Sequence, residues 1–208
     1  MNIELLAFFS LTAFVTSLIP GPSTLLAFTH GVRLGLARAL ATAVGNASAS
    51  ILQALAASAG LGIVLTKSAI LFMVIKYAGA AYLVYLGVAM WRSDAKAALL
   101  EDAQAEEAHT EFRLFRSGFL VAASNPKAIV FFTALFPQFL SPTGTNFYQL
   151  ALMVALVGII AFSVAMIYAG LGARMGRMNI SRRIMGRIHK FTGGLFVFSG
   201  IGLAATRG

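Results

Sequence analysis

The stretch Pro20-Gly21-Pro22 interrupts an apolar run over residues 3–30, and Asn125-Pro126 interrupts another over residues 117–140. A proline inside a helix removes a backbone hydrogen bond and clashes with the turn before it. Each stretch therefore predicts two half-helices joined by unwound backbone. Within hydrocarbon, unwound backbone is tolerated only where it faces protein or a water-filled cavity. The two breaks together indicate an internal site, although a simple structural kink is the plainer interpretation of either break alone.

The composition assigns the chain to the membrane proteins. Of its 208 residues, 59% are hydrophobic and 11% are charged, and the mean hydropathy is +0.84. Soluble domains carry about 25% charged residues, and disorder requires low hydrophobicity, so both classes are excluded. The chain has no cysteine, which excludes disulfides, thiol catalysis and zinc–thiolate sites.

Six apolar runs are each long enough to cross a bilayer as a helix. They extend over residues 3–30, 38–65, 69–91, 117–140, 148–171 and 190–206. The first run is expected to be retained as a span, because it lacks the basic region and the small-residue cleavage site of a signal peptide. The predicted fold is an all-α membrane protein with six transmembrane helices, of which the first and the fourth are broken.

The distribution of Lys and Arg predicts the orientation of these spans. Eleven of the 16 fall between spans one and two, three and four, or five and six, whereas Lys67 and Arg207 fall on the other side. By the positive-inside rule the eleven face the cytoplasm, and both termini lie on the outer side. This topology explains the net charge of +9, so nucleic acid is not expected as a partner. Six of the seven acidic residues lie in the 92–116 loop, and Glu4 lies at the outer end of span one.

Three correspondences predict an internal repeat. The segment Lys76–Tyr82 resembles Lys190–Phe196 at an offset of 114, and Ala-Gly-Leu-Gly occurs at 59–62 and at 169–172. The proline breaks at Pro22 and Pro126 are offset by 104. Two halves, about 1–91 and 117–208 with the cytoplasmic loop 92–116 between them, would each hold three spans. An odd number of spans inverts the second half, as is typical of secondary transporters; the alternative is chance similarity among Gly/Ala-rich helices.

The chemistry of a broken helix suits a zwitterion. The exposed N–H end carries partial positive charge and suits a carboxylate, whereas the exposed carbonyl end suits an ammonium group. Breaks at corresponding positions of two halves point to the binding site of a transporter. The residues predicted to shape this site are Pro20, Gly21, Pro22, Ser23, Asn125 and Pro126.

Lys127 strengthens this prediction. It lies near the middle of the run 117–140, where an ammonium group costs a few kcal/mol. No acidic residue lies within a span to pair with it, which favours a functional role over a structural ion pair. Lys127 could bind the substrate carboxylate, or it could cap carbonyl groups at the break.

Other polar residues in the spans are weaker candidates. Asn46 is either a polar wall of the cavity or interhelical glue. His30, Lys76, Tyr82 and Tyr85 are candidate path-lining residues. Each has a structural alternative, since Lys76 can snorkel to the interface, tyrosines pack or form interface belts, and His30 can be an interface histidine. The glycine pairs Gly31–Gly35 and Gly172–Gly176 could mark close helix contacts.

Enzymatic and metal chemistry is not expected. No His, Asp and Glu cluster has metal-ligand spacing, and no nucleophile–base set or phosphate-binding loop occurs. No cofactor and no metal are therefore predicted.

The paired motifs carry a resemblance to a known family. Ile19–Ser23 is followed by Gly31, Gly35 and Gly45, and Asn125-Pro126-Lys127-Ala128 is followed by Phe131-Phe132 and Phe136-Pro137-Gln138-Phe139. Over nearly the whole chain, this pattern resembles the LysE/RhtB family of amino-acid exporters. The resemblance implies a bacterial inner-membrane exporter of amino acids or close derivatives, driven by the proton gradient or by antiport. It also allows a homodimer.

One position departs from the family pattern. Many members have an acidic residue after the glycine that matches Gly45, whereas this chain has Asn46, which carries no proton at physiological pH. The usual proton coupling is therefore not expected unless Glu4 or His30 substitutes. Because no carboxylate in a span would neutralise a cationic side chain, we predict a neutral zwitterionic substrate of the homoserine, threonine or leucine type.

The favoured hypothesis is a secondary exporter that works by alternating access, with Lys127 holding the carboxylate and Asn46 as a polar wall. An efflux protein for an inorganic ion or another small metabolite could use the same scaffold, although divalent cations prefer carboxylate or thiolate ligands. A non-transporting membrane scaffold predicts that Lys127→Ala is harmless. An intramembrane enzyme would need a nucleophile–base pair, which the sequence lacks.

Overall fold

The computed structural model describes residues 3–59, 69–92, 110–140, 147–177 and 182–205, and these residues are helical apart from short joints. The helices are α1 (Ile3–Leu18), α2 (Pro22–Ser58), α3 (Ala69–Arg92), α4 (Glu111–Ala123), α5 (Pro126–Val130), α6 (Phe147–Arg177) and α7 (Arg182–Ala205). A π-helical turn (Phe131–Leu135) and a 3₁₀ turn (Phe136–Phe139) continue α5. The predicted all-α fold is confirmed for this part of the chain.

Both proline stretches interrupt the helices where the sequence predicts it. The first α-helix ends at Leu18 and the second begins at Pro22, while α4 ends at Ala123 and α5 begins at Pro126. Each new helix has a proline at its first position, where a missing N–H removes no helical hydrogen bond. The joints 19–21 and 124–125 are therefore the ends of separate helices and not bends within one helix.

The long helix α2 folds back on itself at Gly35. Gly35 has φ +79° and ψ 173°, a conformation that favours glycine because it has no Cβ. His30 Nδ1 and Thr42 Oγ1 are 2.7 Å apart, although twelve residues of straight helix would separate them by about 18 Å. The first arm of α2 (22–34) and the second arm (36–58) therefore meet, and the predicted spans one and two connect at this turn.

Glycines allow α2 and α6 to approach closely. A Cβ at Gly31 would overlap the backbone of Ala169, and a Cβ at Gly172 or Gly176 would overlap a backbone carbonyl of the first arm of α2. Small residues at a helix interface allow such backbone contact in membrane proteins. Of the two glycine pairs noted in the sequence, Gly31, Gly172 and Gly176 thus contribute to the interface between α2 and α6, whereas Gly35 meets nothing within 4 Å and forms the turn of α2.

Three further contacts bring the remaining helices together. The second arm of α2 lies against α4, where a Cβ at Gly118 would overlap Thr42. Gly87 on α3 faces Gly193 on α7. An aromatic cluster joins α1 to the turns after α5, with the ring centroids of Phe9 and Phe139 5.1 Å apart. This cluster holds the two broken regions next to each other.

Within the described ranges, α2 and α6 are long and apolar enough to cross a membrane. Shorter apolar stretches extend over Ile3–Leu18, Tyr77–Ala89 and Lys190–Ala205. Residues 60–65 of span two, 93–109 of the charged loop and both chain ends lie outside the described residues. The six crossings, the inverted halves and the outer position of the termini stay predictions.

Candidate functional site

The two breaks open onto one shared cavity of about 60 Å³. A buried water molecule needs about 10–15 Å³, so this space holds several waters or a small polar molecule that replaces them. The cavity is lined by residues of α1, α2, α4, α5, α6 and the π-helical turn: Ala13, Thr16, Ser17, Ser23, Thr24, Asn46, Ser50, Ala122, Asn125, Lys127, Ala128, Phe131, Phe132, Val157, Ile160, Ala161 and Val164. Of the residues predicted to form the site, Ser23, Asn46, Asn125 and Lys127 are among them.

Asn125 ties the two breaks together. Its Oδ1 accepts a hydrogen bond from the backbone N–H of Lys127 at 3.1 Å, which caps the N-terminus of α5. Its Nδ2 donates to Ser23 Oγ, 3.1 Å away, in the first turn of α2. The side chain is 2% exposed, and both its oxygen and its nitrogen are used, so it sets the distance between the two half-helix starts.

The Lys127 ammonium group caps the C-terminal end of α1. Nζ donates to the backbone carbonyl of Ile19 at 2.6 Å and to that of Ser17 at 3.3 Å. Of the two roles predicted for Lys127, the structure therefore contains the capping of carbonyls at the break. An ammonium group has three N–H donors, so one remains for a further acceptor.

Tyr168 on α6 binds the carbonyl of Leu18, which lies between the two carbonyls that Lys127 binds. Its hydroxyl donates to the backbone oxygen of Leu18 at 2.8 Å. Sequence reasoning did not identify Tyr168 as a site residue. No spacing in α6 marks it, because its partner lies 150 residues earlier in the chain.

The N-terminus of α2 is capped by the side chain of Thr24. The backbone N–H of Gly21 donates to Thr24 Oγ1 at 2.9 Å, and the same hydroxyl donates back to the carbonyl of Gly21 at 3.0 Å. A Cβ at Gly21 would lie 3.7 Å from both Asn125 Nδ2 and Lys127 Nζ. Gly21 therefore borders on the two polar groups of the other break.

Asn46 serves both roles considered for it. Its Nδ2 donates to the carbonyl of Ala161 on α6 at 3.0 Å, so it links two helices, and it also lines the cavity. Because a carbonyl can only accept, the amide nitrogen must face Ala161, and Oδ1 remains as an acceptor. Ser50, one turn later, is also part of the wall, and a spacing of four residues from Asn46 is the signal that could have identified it.

The opposite wall is apolar. Phe131 and Phe132 of the π-helical turn and Val157, Ile160 and Val164 of α6 line it. Among the described residues that line the cavity, Lys127 alone carries a charge. The cavity thus combines one cation, several neutral polar groups and an apolar side.

Three of the candidate path-lining residues, His30, Tyr82 and Tyr85, are not part of the described cavity wall. His30 bonds to Thr42 at the turn of α2, Tyr82 packs against the cluster that contains Leu25, and Tyr85 is 68% exposed. Lys76 lies on α3, and its side chain is outside the described residues. A path through these four residues stays a prediction. Among the residues that the structure describes, no cluster of three or more His, Asp and Glu could hold a metal ion.

Comparison with known proteins agrees with the sequence resemblance. The family described as "LysE type translocator" matches residues 14–207. A homoserine/homoserine lactone efflux protein of Salmonella typhi is 32% identical over 197 residues, which cover 95% of this chain and 94% of that protein. A leucine efflux protein of Enterobacter sp. is 31% identical over 167 residues, 76% of this chain and 75% of that protein. A Vibrio cholerae protein named only as a membrane protein is 34% identical over the full length of both chains. No solved structure matches.

Proposed function

This chain belongs to the LysE type translocator family, and on that premise we propose that it is a secondary exporter of small neutral amino acids across the bacterial inner membrane. The observation that carries the proposal is the meeting of two broken helices at one cavity whose wall holds the Lys127 ammonium group. The amino-acid efflux named for two relatives supports this substrate class.

The carboxylate of the substrate binds Lys127. The ammonium group already lies at the cavity wall and is held by two neutral carbonyls. A carboxylate carries a full negative charge, whereas a carbonyl oxygen carries only a partial one, so Coulomb attraction at low polarity lets a carboxylate compete with those carbonyls. Binding then draws Nζ from the end of α1, which links substrate occupancy to the state of the first break.

The ammonium group of the substrate binds neutral acceptors on the second arm of α2. Asn46 Oδ1 is available because Nδ2 is committed to Ala161. A neutral amide accepts from an α-ammonium group whose charge is balanced within the same zwitterion by its own carboxylate. A second positive charge on the substrate side chain would face Lys127 with no compensating carboxylate among the described lining residues, at a cost that low polarity increases. The wall therefore favours neutral over basic amino acids.

The apolar side of the cavity selects for size. Phe131, Phe132 and Val157 offer an apolar surface to the substrate side chain. The volume of about 60 Å³ suits a short side chain of the homoserine or threonine type, and a leucine side chain requires the apolar wall to move outward.

Transport proceeds by alternating access, in which one three-helix half rocks against the other around the breaks. In this proposal the chain crosses the membrane six times, its halves are inverted, both termini lie on the outer side, and two copies can form a homodimer. Asn46 carries no proton at physiological pH, so coupling to protons requires another group, and antiport of a second amino acid is the simpler driving reaction.

Counterflow in proteoliposomes tests the proposal. Vesicles loaded with unlabelled threonine, homoserine, leucine, lysine or arginine are presented with the same amino acid in labelled form, and vesicles without protein serve as the blank. We expect uptake of threonine and homoserine above the blank, little uptake of arginine, and loss of threonine uptake in Lys127→Ala. Arginine uptake faster than threonine uptake would contradict the substrate class, and full activity of Lys127→Ala would contradict the role of the ammonium group.

A further inference from the structure

The second arm of α2 carries a stripe of polar side chains within an otherwise apolar helix. Thr42, Asn46, Ser50 and Gln53 follow one another at intervals of four, four and three residues, which places them on one face. Thr42, Asn46 and Ser50 are at most 7% exposed. On the opposite face, Leu52 and Leu55 are 56% and 46% exposed. The helix thus presents its polar residues to the protein interior and its apolar residues to the outside.

The cavity lies midway along this stripe. Asn46 and Ser50 line it, Thr42 precedes them by one turn, and Gln53 follows Ser50 by nearly one turn. The stripe covers about 16 Å at the rise of an α-helix, roughly half of a hydrocarbon core of about 30 Å. Polar groups therefore continue beyond the cavity in both directions, and in the direction of Gln53 they continue towards the end of α2 at Ser58.

The amide nitrogen of Gln53 is hydrogen-bonded, whereas its amide oxygen has no partner among the described residues. Its Nε2 donates to the carbonyl of Ala123, the last residue of α4 before the second break, at 3.4 Å. Its Oε1 is buried and has no hydrogen-bond partner among the described residues. Exchange of the two amide atoms would set Oε1 against the Ala123 carbonyl, because both can only accept. Buried polar atoms are nearly always paired, so a donor belongs next to this oxygen.

We propose, on the basis of the export of zwitterions proposed above, that Gln53 is a second substrate station, whose Oε1 accepts a hydrogen bond from the substrate ammonium group outside the cavity. The ammonium group must find an acceptor at each point of its transit, because an unpaired charge in an apolar interior is costly. Asn46 and Ser50 supply acceptors inside the cavity, and Gln53 supplies the next one. The carboxylate end stays nearer to Lys127, so the substrate passes Gln53 with its ammonium group foremost.

The neutrality of Gln53 suits a station on a path. A transported group must bind strongly enough to enter a site and weakly enough to leave it, and a neutral amide meets both conditions better than a carboxylate. In the predicted orientation Gln53 lies on the outer side of the cavity, which is the exit side for an exporter.

Two variants and one control test this station. Gln53→Met removes both amide atoms at nearly constant volume, Gln53→Glu retains an acceptor, and Leu52→Met alters the exposed neighbour on the same helix. We expect Gln53→Met to bind threonine in detergent as the wild type does, within about twofold, but to lower threonine counterflow about tenfold, as the loss of one hydrogen bond to a charged group allows. Leu52→Met should keep most of the wild-type rate, whereas Gln53→Glu, which retains an acceptor but can charge it, should bind threonine more tightly than the wild type and exchange it more slowly.

The outcomes separate this inference from the function on which it rests. If the wild type exchanges no amino acid, the proposed function fails. If the wild type exchanges threonine and folded Gln53→Met does so equally fast, Gln53 is interhelical glue only and the station does not exist. If Gln53→Met does not fold, Gln53→Glu decides, since threonine binding and counterflow both equal to those of the wild type would show that the substrate ammonium group does not meet this position.

Discussion

The ammonium nitrogen of Lys127 lies 2.6 Å from the carbonyl oxygen of Ile19, a residue 108 positions earlier in the chain. The charge is thus met by backbone dipoles at the end of α1 in place of a carboxylate. A carboxylate side chain would compensate the charge of Lys127 within the protein, whereas the carboxylate of a substrate can displace neutral carbonyls from the ammonium group. This pairing leaves a cation at the cavity wall that a substrate carboxylate can bind.

Tyr168 donates a third hydrogen bond to the carbonyl end of α1. Its removal tests how much this hydrogen bond contributes to the stability of the protein. Tyr168→Phe leaves the Leu18 carbonyl without the hydroxyl that donates to it at 2.8 Å. Because this hydrogen bond is exposed, we expect a loss of only about 0.5–1 kcal/mol, seen as a lower thermal unfolding temperature in detergent. Tyr85→Phe, at a position that is 68% exposed, is the control. Equal unfolding temperatures for the two variants would contradict the stabilising role.

The link between the two breaks can be measured with a double-mutant cycle. Asn125→Ala removes both the cap of α5 and the hydrogen bond to Ser23 Oγ, and loss of an N-cap costs about 1 kcal/mol. Ser23→Ala removes only the shared bond, so the double variant should be less destabilised than the sum of the single ones by about 0.5–1 kcal/mol. Strict additivity of the unfolding free energies would show that the two residues do not interact.

Substitution by alanine should have opposite effects at a glycine in the close packing of α2 on α6 and at a glycine without neighbours on α7. Gly31→Ala introduces a Cβ into the backbone of Ala169, and we expect destabilisation by about 1–3 kcal/mol because the helices must separate. Gly202→Ala meets nothing within 4 Å and should stabilise α7 by up to about 1 kcal/mol through helix propensity. Thermal unfolding of the two variants beside the wild type measures both, and a stable Gly31→Ala variant would rule out this interface.

Asn46 offers a test of substrate charge. Asn46→Asp places a carboxylate on a wall where Lys127 is the only charged residue among those described. We expect lysine counterflow to rise about tenfold above that of the wild type, because the new charge compensates a cationic side chain. Threonine counterflow should become dependent on pH, since the carboxylate can bind a proton whereas the amide cannot. Asn46→Ala serves as the control, and equal lysine counterflow in both variants would contradict this account.

Much of the fold and part of the site could be predicted from local sequence. The helix breaks follow from proline itself, which lacks an N–H wherever it occurs, and the structure has them at 19–21 and 124–125. Lys127 was identifiable because an ammonium group in a long apolar run has no nearby solvent. Gly31 and Gly172 were identifiable because small residues permit close helix contact. Each of these arguments needs only the residue and its immediate neighbours.

The remaining site residues depend on which helix faces meet. Nothing near Tyr168 in the sequence reveals that it reaches Leu18, and nothing near Gln53 reveals that it bonds to Ala123 and leaves its oxygen unpaired. Tyr82 and Tyr85 have the residue types expected for a path, yet they lie on a helix that packs against α7, away from the cavity.

The sequence by itself determined that this chain is helical and apolar, where two of its helices break, and that a lone cation lies beside one break. Only the tertiary structure decided that both breaks share one cavity and that the cation is bonded to carbonyls of the other break. The physical reason is range: proline acts on the turn in which it lies, whereas a hydrogen bond between residues more than 100 positions apart exists only after helices have packed face to face.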